Sequence, residues 1–479
     1  MPEHRLWLVV GAVVACMVVL YSVIFRPSYY TDPTLLSGVI FLQLLVAVLW
    51  NFREAFFPAL IFVFLLAGMA VPAHEVWISV RWIVLAVGAT VGLLWWLRHN
   101  YLPLGLLHLL ALACVLTATV SAFVSSYPDV ALLKSLSLLL LFVYAVTGAR
   151  AALIGREEKF FAGLLLACEL LVYISAIAYF PLRLELFGNR NSLGVVMGVV
   201  ALPFLLWGTF VSESRSLRRR RILAVLLCQL LLLSSYERAG IIAALTSSTL
   251  FCIALRRYRF LLTSFVVALA TAVIVATVVP LPAVNQSDDG SMTSRFVYKG
   301  KREAGVLASR KTVWEKTLSS LQQHPWFGTG FGTSATAYDK TQVNEKFSSV
   351  GQVTREHGNS YLEIAEWVGL VGFAPFAALL LLLVGKVARI LLWIRRTGLS
   401  SSPAVPLAIF VVGALVHAGF EDWLFAVGYH TCVLFWIFAF MLSDFVPSRP
   451  VMYAAITYPS PAFSGRLGAV AETRSCTFS

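Results

Sequence analysis

The sequence has few charged residues and few cysteines, and both shortages exclude whole classes of protein. Only 13% of its 479 residues are Asp, Glu, Lys or Arg, whereas 59% are hydrophobic and the mean hydropathy is +0.82. These values lie far outside the range of soluble globular domains. Six of the seven cysteines fall inside apolar runs and Cys476 lies near the C-terminus, so the long polar segment 282–360 has neither a disulfide framework nor a cysteine metal site.

Several catalytic motifs are also missing. The chain has no Walker phosphate loop, no His-Glu-x-x-His zinc motif and no outer carboxylate pair placed for glycoside hydrolysis. The glycine cluster Gly328–Gly332 is not a dinucleotide fingerprint, because no strand precedes it; it predicts a tight turn instead. The first six predicted spans hold almost no ionisable residue and no repeat is visible, which disfavours a transporter.

What the sequence has in abundance is uncharged apolar runs of about 18 to 23 residues, long enough to cross a bilayer as helices. They predict an all-α polytopic integral membrane protein with about 14 transmembrane helices, 12 being the lower alternative. The first run is expected to be a retained span rather than a removed signal. The predicted spans are 6–25, 34–51, 55–72, 79–97, 102–124, 131–149, 159–180, 192–211, 221–235, 240–255, 260–281, 361–385, 404–420 and 424–445.

The spans divide the chain into four predicted regions. Residues 1–281 form an N-terminal bundle of about 11 spans, and 282–360 form one large, mainly helical outer loop. Residues 361–446 return to the membrane, and 447–479 are a polar tail that is expected to be disordered.

Basic residues are distributed unevenly between the predicted loops. The inner segments hold 21 of the 37 Lys and Arg residues, the short outer segments hold six, and the remaining ten lie in 282–360. This bias predicts that both termini are cytoplasmic. The net charge of +13 is then explained by topology and by anionic membrane lipid, and nucleic acid is not an expected partner.

The stretch 354–372 stands where the long polar segment re-enters the membrane. Ser360-x-x-Glu363 has the spacing of a capping box and predicts a helix that begins near Ser360. His357 would lie just outside the positive end of that helix, which favours an anion and a neutral imidazole able to accept a proton. A structural interfacial histidine and a cation site shared with Glu356 and Glu363 are the alternatives.

Two arginines are candidates for binding an anionic headgroup near this stretch. Arg238 follows Glu237 inside apolar sequence, where a charge is costly and a guanidinium fork suits phosphate. The alternative is a Glu237–Arg238 turn with both side chains at the membrane interface. Arg310 opens a predicted helix that ends at His324-Pro325, where a cation opposes the helix dipole; a solvated surface arginine is its alternative.

A third candidate is Arg190, in the outer turn Phe187-Gly-Asn-Arg-Asn-Ser192. It is either an interfacial residue that extends its charge to water or a ligand for a lipid-borne phosphate. Asn191 or Ser192 is expected to cap the following helix.

In their order along the chain, these motifs resemble the O-antigen ligase and polymerase superfamily of membrane glycosyltransferases. The resemblance covers roughly residues 185–385. It consists of Ser234-Ser-Tyr-Glu-Arg-Ala-Gly240, Arg310-x-x-x-Trp314, His324-Pro-Trp-Phe-Gly-Thr-Gly-Phe-Gly332 and His357-x-Asn-x-x-Leu-x-x-x-x-Trp-x-Gly-x-x-Gly372. Gly358 departs from the pattern, because many relatives have Asn directly after the histidine.

The resemblance implies a GT-C-like enzyme with its active site on the periplasmic face of a bacterial inner membrane. Its donor would be glycan on undecaprenyl diphosphate and its acceptor lipid A–core, with no metal and no cofactor. The implied roles are His357 as catalytic base, Arg238, Arg310, Arg190 and Asn191 as ligands of the donor diphosphate, and Asn359 and Glu363 as acceptor-binding or supporting residues.

Three functions follow as hypotheses. The preferred one is an O-antigen ligase that inverts the anomeric carbon. An O-antigen polymerase or a related oligosaccharyltransferase would use the same donor and a different acceptor. A flippase for lipid-linked oligosaccharide is the alternative that is not an enzyme, although the sequence offers few of the intramembrane polar residues that it would need.

Overall fold

The computed structural model describes residues 55–72, 74–99, 104–212, 214–278, 308–334 and 356–446. Within these ranges every regular element is a helix, as the all-α prediction requires. In chain order the helices are α1 Phe56–Ala67, α2 His74–His99, α3 Leu106–Ala122, α4 Pro128–Tyr144, α5 Arg150–Leu153, α6 Glu157–Tyr179, α7 Arg190–Val195, α8 Leu202–Val211, α9 Arg215–Ser234, α10 Arg238–Ala254, α11 Tyr258–Val278, α12 Ala308–Gln323, α13 Ser360–Thr397, α14 Ala404–Ala418 and α15 His430–Asp444. Two π-helical turns, Ala145–Ala149 and Val196–Ala201, join α4 to α5 and α7 to α8.

Five of the described helices are long and apolar enough to cross a membrane, which is compatible with a polytopic membrane protein. They are His74–Arg98, Pro128–Leu153, Glu157–Tyr179, Arg190–Val211 and Ser360–Thr397. Six shorter apolar helices, of 10 to 17 residues, accompany them. The total of 14 spans, their orientation and the four regions stay predictions.

Each predicted span from 55–72 onward overlaps a described helix, while residues 68–72 and 424–429 of those spans are not helical. The basic runs 215–221 and 386–396, which were expected outside the spans, continue the helices α9 and α13. The predicted spans 6–25 and 34–51, the tail and most of 282–360 lie outside the described residues.

Helix α15 is buried along almost its whole length. Every residue from His430 to Leu442 is buried, and the flanking helices surround it with aromatic rings. Phe438 lies 5.3 Å from Phe204 and 5.1 Å from Phe410 between ring centroids, in the tilted and edge-on arrangements that aromatic pairs prefer. This packing fixes the loop that leads into α15, residues 419–429.

Helix α13 is interrupted at Gly369, whose φ of 67° and ψ of −179° are not helical. The interruption leaves backbone donors and acceptors without partners inside the helix, and such groups must be satisfied elsewhere when they are buried. The segment Pro325–Gly330 supplies those partners. Four backbone bonds result: Thr329 N–H to Glu366 O (3.0 Å), Gly330 N–H to Trp367 O (3.0 Å), Leu370 N–H to Pro325 O (2.8 Å) and Val371 N–H to Trp326 O (3.2 Å).

Glycine is required on both sides of this contact. Gly369 and Gly328 both have positive φ, and a Cβ at either position would meet the backbone of the opposite segment. The predicted end of α12 before Pro325 and the tight glycine turn are confirmed. The insertion of that turn into α13 was not predicted. Helix α3 seals the contact, because Ser121 Oγ donates to the carbonyl oxygen of Trp367 at 2.6 Å.

We expect Gly369→Ala to lower the free energy of unfolding by about 2 kcal/mol, because the added Cβ disfavours positive φ and meets the Trp326 backbone. Thermal unfolding of the purified protein in detergent measures the change. Gly385→Ala in the same helix is the control, since its Cβ meets nothing within 4 Å. It should be neutral or slightly stabilising. Equal melting temperatures for the two variants would contradict this account of the break.

Candidate active site

His357 lies just before α13 with its imidazole fully buried among carboxylates. Nε2 is 3.0 Å from Oε2 of Glu366, while Nδ1 is 3.8 Å from Oε1 of Glu363 and 3.9 Å from Oδ2 of Asp422. The edge of Trp367 packs against the ring, with centroids 5.8 Å apart. Neither ring nitrogen makes a hydrogen bond to a residue that the structure describes, so both are buried beside carboxylates without such a bond.

The start of α13 differs in one detail from the capping-box prediction. The helix begins at Ser360, as predicted, but the N-cap is Asn359, whose amide oxygen accepts the N–H groups of Tyr361 at 2.9 Å and Leu362 at 3.1 Å. Ser360 cannot serve as the cap, because its hydroxyl donates to the carbonyl oxygen of Glu421 at 2.7 Å. Asn359 therefore orients the helix end beside His357.

The 419–429 loop, between α14 and α15, holds the His357 segment from the other side. Oδ2 of Asp422 accepts the backbone N–H of His357 at 2.6 Å and that of Gly358 at 3.3 Å. The hydroxyl of Ser360 accepts the N–H of Trp423 at 3.0 Å. Glu421 and Asp422 belong to the connection between α14 and α15, and they also contribute to the site.

Arg310, in the first turn of α12, reaches this same loop. Its guanidinium pairs with Glu356 at 2.9 Å and with Glu421, and its side chain is only 18% exposed. A Cβ on Gly358 would meet the guanidinium, so Arg310 lies directly against the His357 segment. Burial raises the pKa of the Glu421 carboxyl, and the positive charge of Arg310 opposes that rise. Arg310 is therefore not a solvated surface arginine.

Arg238 is the first residue of α10, and Glu237 caps that helix by accepting the N–H of Gly240. The other carboxylate oxygen of Glu237 is 3.5 Å from Nε2 of His417, near the end of α14. Nδ1 of His417 accepts the indole N–H of Trp423 at 2.8 Å. Glu237 is buried, so the alternative of a Glu237–Arg238 turn with both side chains at the interface is wrong for Glu237.

Arg190 begins α7, and its Nε lies 3.2 Å from Oε1 of Glu185. The prediction that Asn191 or Ser192 caps α7 is wrong. The cap is Asn189, whose side chain accepts the N–H of Ser192 at 2.7 Å. An N-cap residue has an extended backbone and precedes the first helical residue. Asn189 meets both conditions, whereas Asn191 and Ser192 already lie inside α7. Asn191 is exposed.

The second turn of α7 packs against the segment before Arg238. A Cβ on Gly194 would meet the side chains of Ser235 and Glu237. The structure thus brings α7, whose first residues are Arg190 and Asn191, against the segment that precedes Arg238. It brings Arg310, Asn359 and Glu363 to the His357 side.

Three further residues of the His357 side were not predicted. Glu366 follows Glu363 by three residues on the same helix face, a spacing that the sequence could have revealed. Asp422 comes from a loop distant in the sequence. Lys134 of α4 donates from Nζ to the carbonyl oxygen of Gly332 at 2.5 Å and interacts electrostatically with Glu363.

The same cluster has the geometry of a small cation site. One donor atom from each of His357, Glu363 and Asp422 lies within 4.8 Å of the other two. The cation alternative in the sequence analysis used Glu356 in place of Asp422. Glu356 pairs with Arg310 instead, so that particular set is wrong.

Comparison with known proteins gives one family. Residues 222–377 match the family model described as O-Antigen ligase. The matched part runs from α9 through the break in α13, and it includes Arg238, Arg310 and His357. No curated protein matches the chain.

Proposed function

We propose that this chain is an O-antigen ligase, a member of the O-antigen ligase and polymerase superfamily, whose family model matches residues 222–377. It transfers glycan from undecaprenyl diphosphate to lipid A–core at the periplasmic face of the bacterial inner membrane. The observation that carries the proposal is the juxtaposition of a buried imidazole, His357, with a guanidinium, Arg310, at the start of one apolar helix. A base for a hydroxyl and a ligand for a diphosphate are the two groups that such a transfer needs.

The reaction is a single displacement. An acceptor hydroxyl attacks the anomeric carbon, the bond from that carbon to the phosphate oxygen breaks, and undecaprenyl diphosphate leaves with the bonding electrons. Attack opposite the leaving group inverts the anomeric carbon. The hydroxyl proton passes to His357. The carboxylate of Glu366, 3.0 Å from Nε2, favours a proton on that nitrogen by its charge, which leaves the lone pair on Nδ1.

The two acids that face Nδ1 suit an acceptor sugar. Glu363 and Asp422 are 3.8 Å and 3.9 Å from Nδ1, so a hydroxyl that reaches this nitrogen also comes within reach of both acids. Carboxylates accept hydrogen bonds from neighbouring sugar hydroxyls and thereby orient the one that reacts. Asn359 supports this arrangement by capping α13.

The donor diphosphate binds between Arg310 and Arg238, with Arg190 and Asn191 on the Arg238 side. A guanidinium has five N–H donors, so the ion pairs of Arg310 with Glu356 and Glu421 leave donors for a phosphate. Neutralising the diphosphate lowers the barrier to its departure, because negative charge grows on it as the bond breaks.

We expect His357→Ala to reduce transfer by about 10²–10⁴-fold, because the attacking hydroxyl loses its base. Donor affinity should change little. The assay uses purified protein in detergent with a defined undecaprenyl diphosphate-linked glycan and lipid A–core, and a separate binding titration with the donor. His324→Ala, at an exposed histidine, is the control and should retain activity. Full transfer by His357→Ala would overturn the assignment of the base.

We expect Arg310→Lys and Arg238→Lys to raise the KM for the donor by on the order of tenfold, because lysine keeps the charge and loses the bidentate fork. Steady-state kinetics at varied donor concentration measures this. Arg395→Lys, an exposed position near the end of α13, is the matched control. An unchanged KM in both variants would mean that the diphosphate binds elsewhere.

We expect transfer to persist in excess EDTA, because the arginines and the end of α13 neutralise the donor without a metal ion. Activity is compared before and after dialysis against the chelator. Loss of transfer that is restored by Mg²⁺ would contradict the proposed base. In that case His357, Glu363 and Asp422 would act as a cation site.

We expect a deletion of the gene to leave lipid A–core without polysaccharide while long polymer remains on its lipid carrier. Gel analysis of lipopolysaccharide and of the lipid-linked pool measures both. Single repeat units attached to lipid A–core would identify a polymerase instead. Transfer by purified protein in detergent separates either enzyme from a flippase, because nothing needs to cross a membrane there.

A further inference from the structure

Three polar side chains form a buried line that the proposed chemistry does not use. Glu237, His417 and Trp423 are 3%, 0% and 5% exposed, and they come from α10, α14 and the 419–429 loop. A buried carboxylate beside an imidazole is expensive to desolvate, and apolar residues of similar volume commonly give equal or greater stability. Stability alone therefore does not explain the line, and ionisable groups within apolar helix bundles commonly mark function.

The indole N–H of Trp423, at one end of the line, determines which nitrogen of His417 carries the proton. The indole N–H of Trp423 donates to Nδ1 of His417 at 2.8 Å, so that nitrogen carries a lone pair. The ring proton is then on Nε2, which lies 3.5 Å from Oε1 of Glu237, an electrostatic contact in which Nε2 makes no hydrogen bond to a described residue. The second oxygen of Glu237 is occupied by the N–H of Gly240. Each of the three side chains thus has one defined orientation.

The two ends of the line are joined to the two halves of the site. Glu237 directly precedes Arg238 and caps its helix. At the other end, the backbone N–H of Trp423 donates to the hydroxyl of Ser360, the first residue of α13. The neighbouring Asp422 accepts the backbone N–H of His357 at 2.6 Å.

We propose that Glu237, His417 and Trp423 form a positioning relay, a chain of contacts that determines the position of Arg238 relative to His357. The relay rests on the proposed function, because it aligns the donor diphosphate with the base that activates the acceptor. None of its members touches substrate. Its effect arises because a displacement of about 1 Å between reacting groups lowers a rate by up to about 100-fold.

Two conservative substitutions break the relay at its two ends. Trp423→Phe keeps a six-membered aromatic ring and removes the indole N–H that donates to His417. Glu237→Gln keeps an oxygen for the N–H of Gly240 but turns an amide N–H₂ toward the Nε2–H of His417, so two donors face each other. Both variants and their combination form a double-mutant cycle, which measures coupling between positions.

The first measurement is thermal unfolding of the four proteins in detergent without substrate. The relay predicts that the losses of stability caused by the two substitutions do not add. The double variant should be no less stable than the less stable of the two single variants. The second is steady-state transfer. Trp423→Phe should lower kcat by on the order of tenfold with donor KM nearly constant, whereas Glu237→Gln should also raise donor KM, because it moves Arg238. The double variant should again be no worse than the more affected single variant.

Matched controls come from equivalent groups outside the site. Trp207 is equally buried and donates its indole N–H to the carbonyl oxygen of Ser400 at 2.8 Å, in the loop before α14, about 20 Å along that helix from His417. Glu169 is a buried carboxylate paired with Arg220 and Arg221. Trp207→Phe and Glu169→Gln should lower stability and leave kcat and donor KM unchanged.

Additive effects of Glu237→Gln and Trp423→Phe on stability or on kcat would overturn the relay. So would controls that lower kcat as much as the relay variants do, because the effect would then be general destabilisation. The proposed function fails separately, if the wild-type protein transfers no glycan to lipid A–core. The unfolding cycle still decides in that case whether the three side chains are coupled.

Discussion

The site depends on four backbone hydrogen bonds that fill the break in α13. Because Pro325–Gly330 satisfies the carbonyls of Glu366 and Trp367, the helix can stop at Gly369 and resume without exposing polar backbone to an apolar environment. The short helical piece before the break then carries Glu363 and Glu366 on one face, toward His357. Without the inserted segment, the break would leave these backbone groups unpaired in the protein interior.

Helix ends supply almost every polar group of the site. α7, α10 and α13 begin there, α14 ends there and α15 follows the 419–429 loop. The helices themselves pack mainly through apolar and aromatic side chains, and most charged groups of the site lie near helix ends or in the connecting loops. This division explains how acids and arginines are held close together in a chain with so few charged residues: each is anchored by a cap, a loop hydrogen bond or an ion pair.

The sequence was sufficient for features that depend on local pattern. Apolar run length predicted the described apolar helices, and Pro325 with the glycines after it predicted the end of α12. The sequence was insufficient where distant segments compete for the same group. Asn359 rather than Ser360 caps α13, because a loop some 60 residues later takes the serine hydroxyl. Asp422 and the break at Gly369 carry no local signal, since the first lies in an ordinary turn and the second in an uninterrupted apolar run.

The insertion at Gly369 also determines which parts of the site are joined through the backbone. Backbone bonds tie the segment after α12 to both sides of the break in α13. Arg310 and His357 therefore lie in one hydrogen-bonded unit. Arg238 begins a different helix, α10, which packs against α14. The position of Arg310 relative to His357 is thus set by backbone hydrogen bonds and ion pairs, whereas the position of Arg238 is set by the packing of apolar helices.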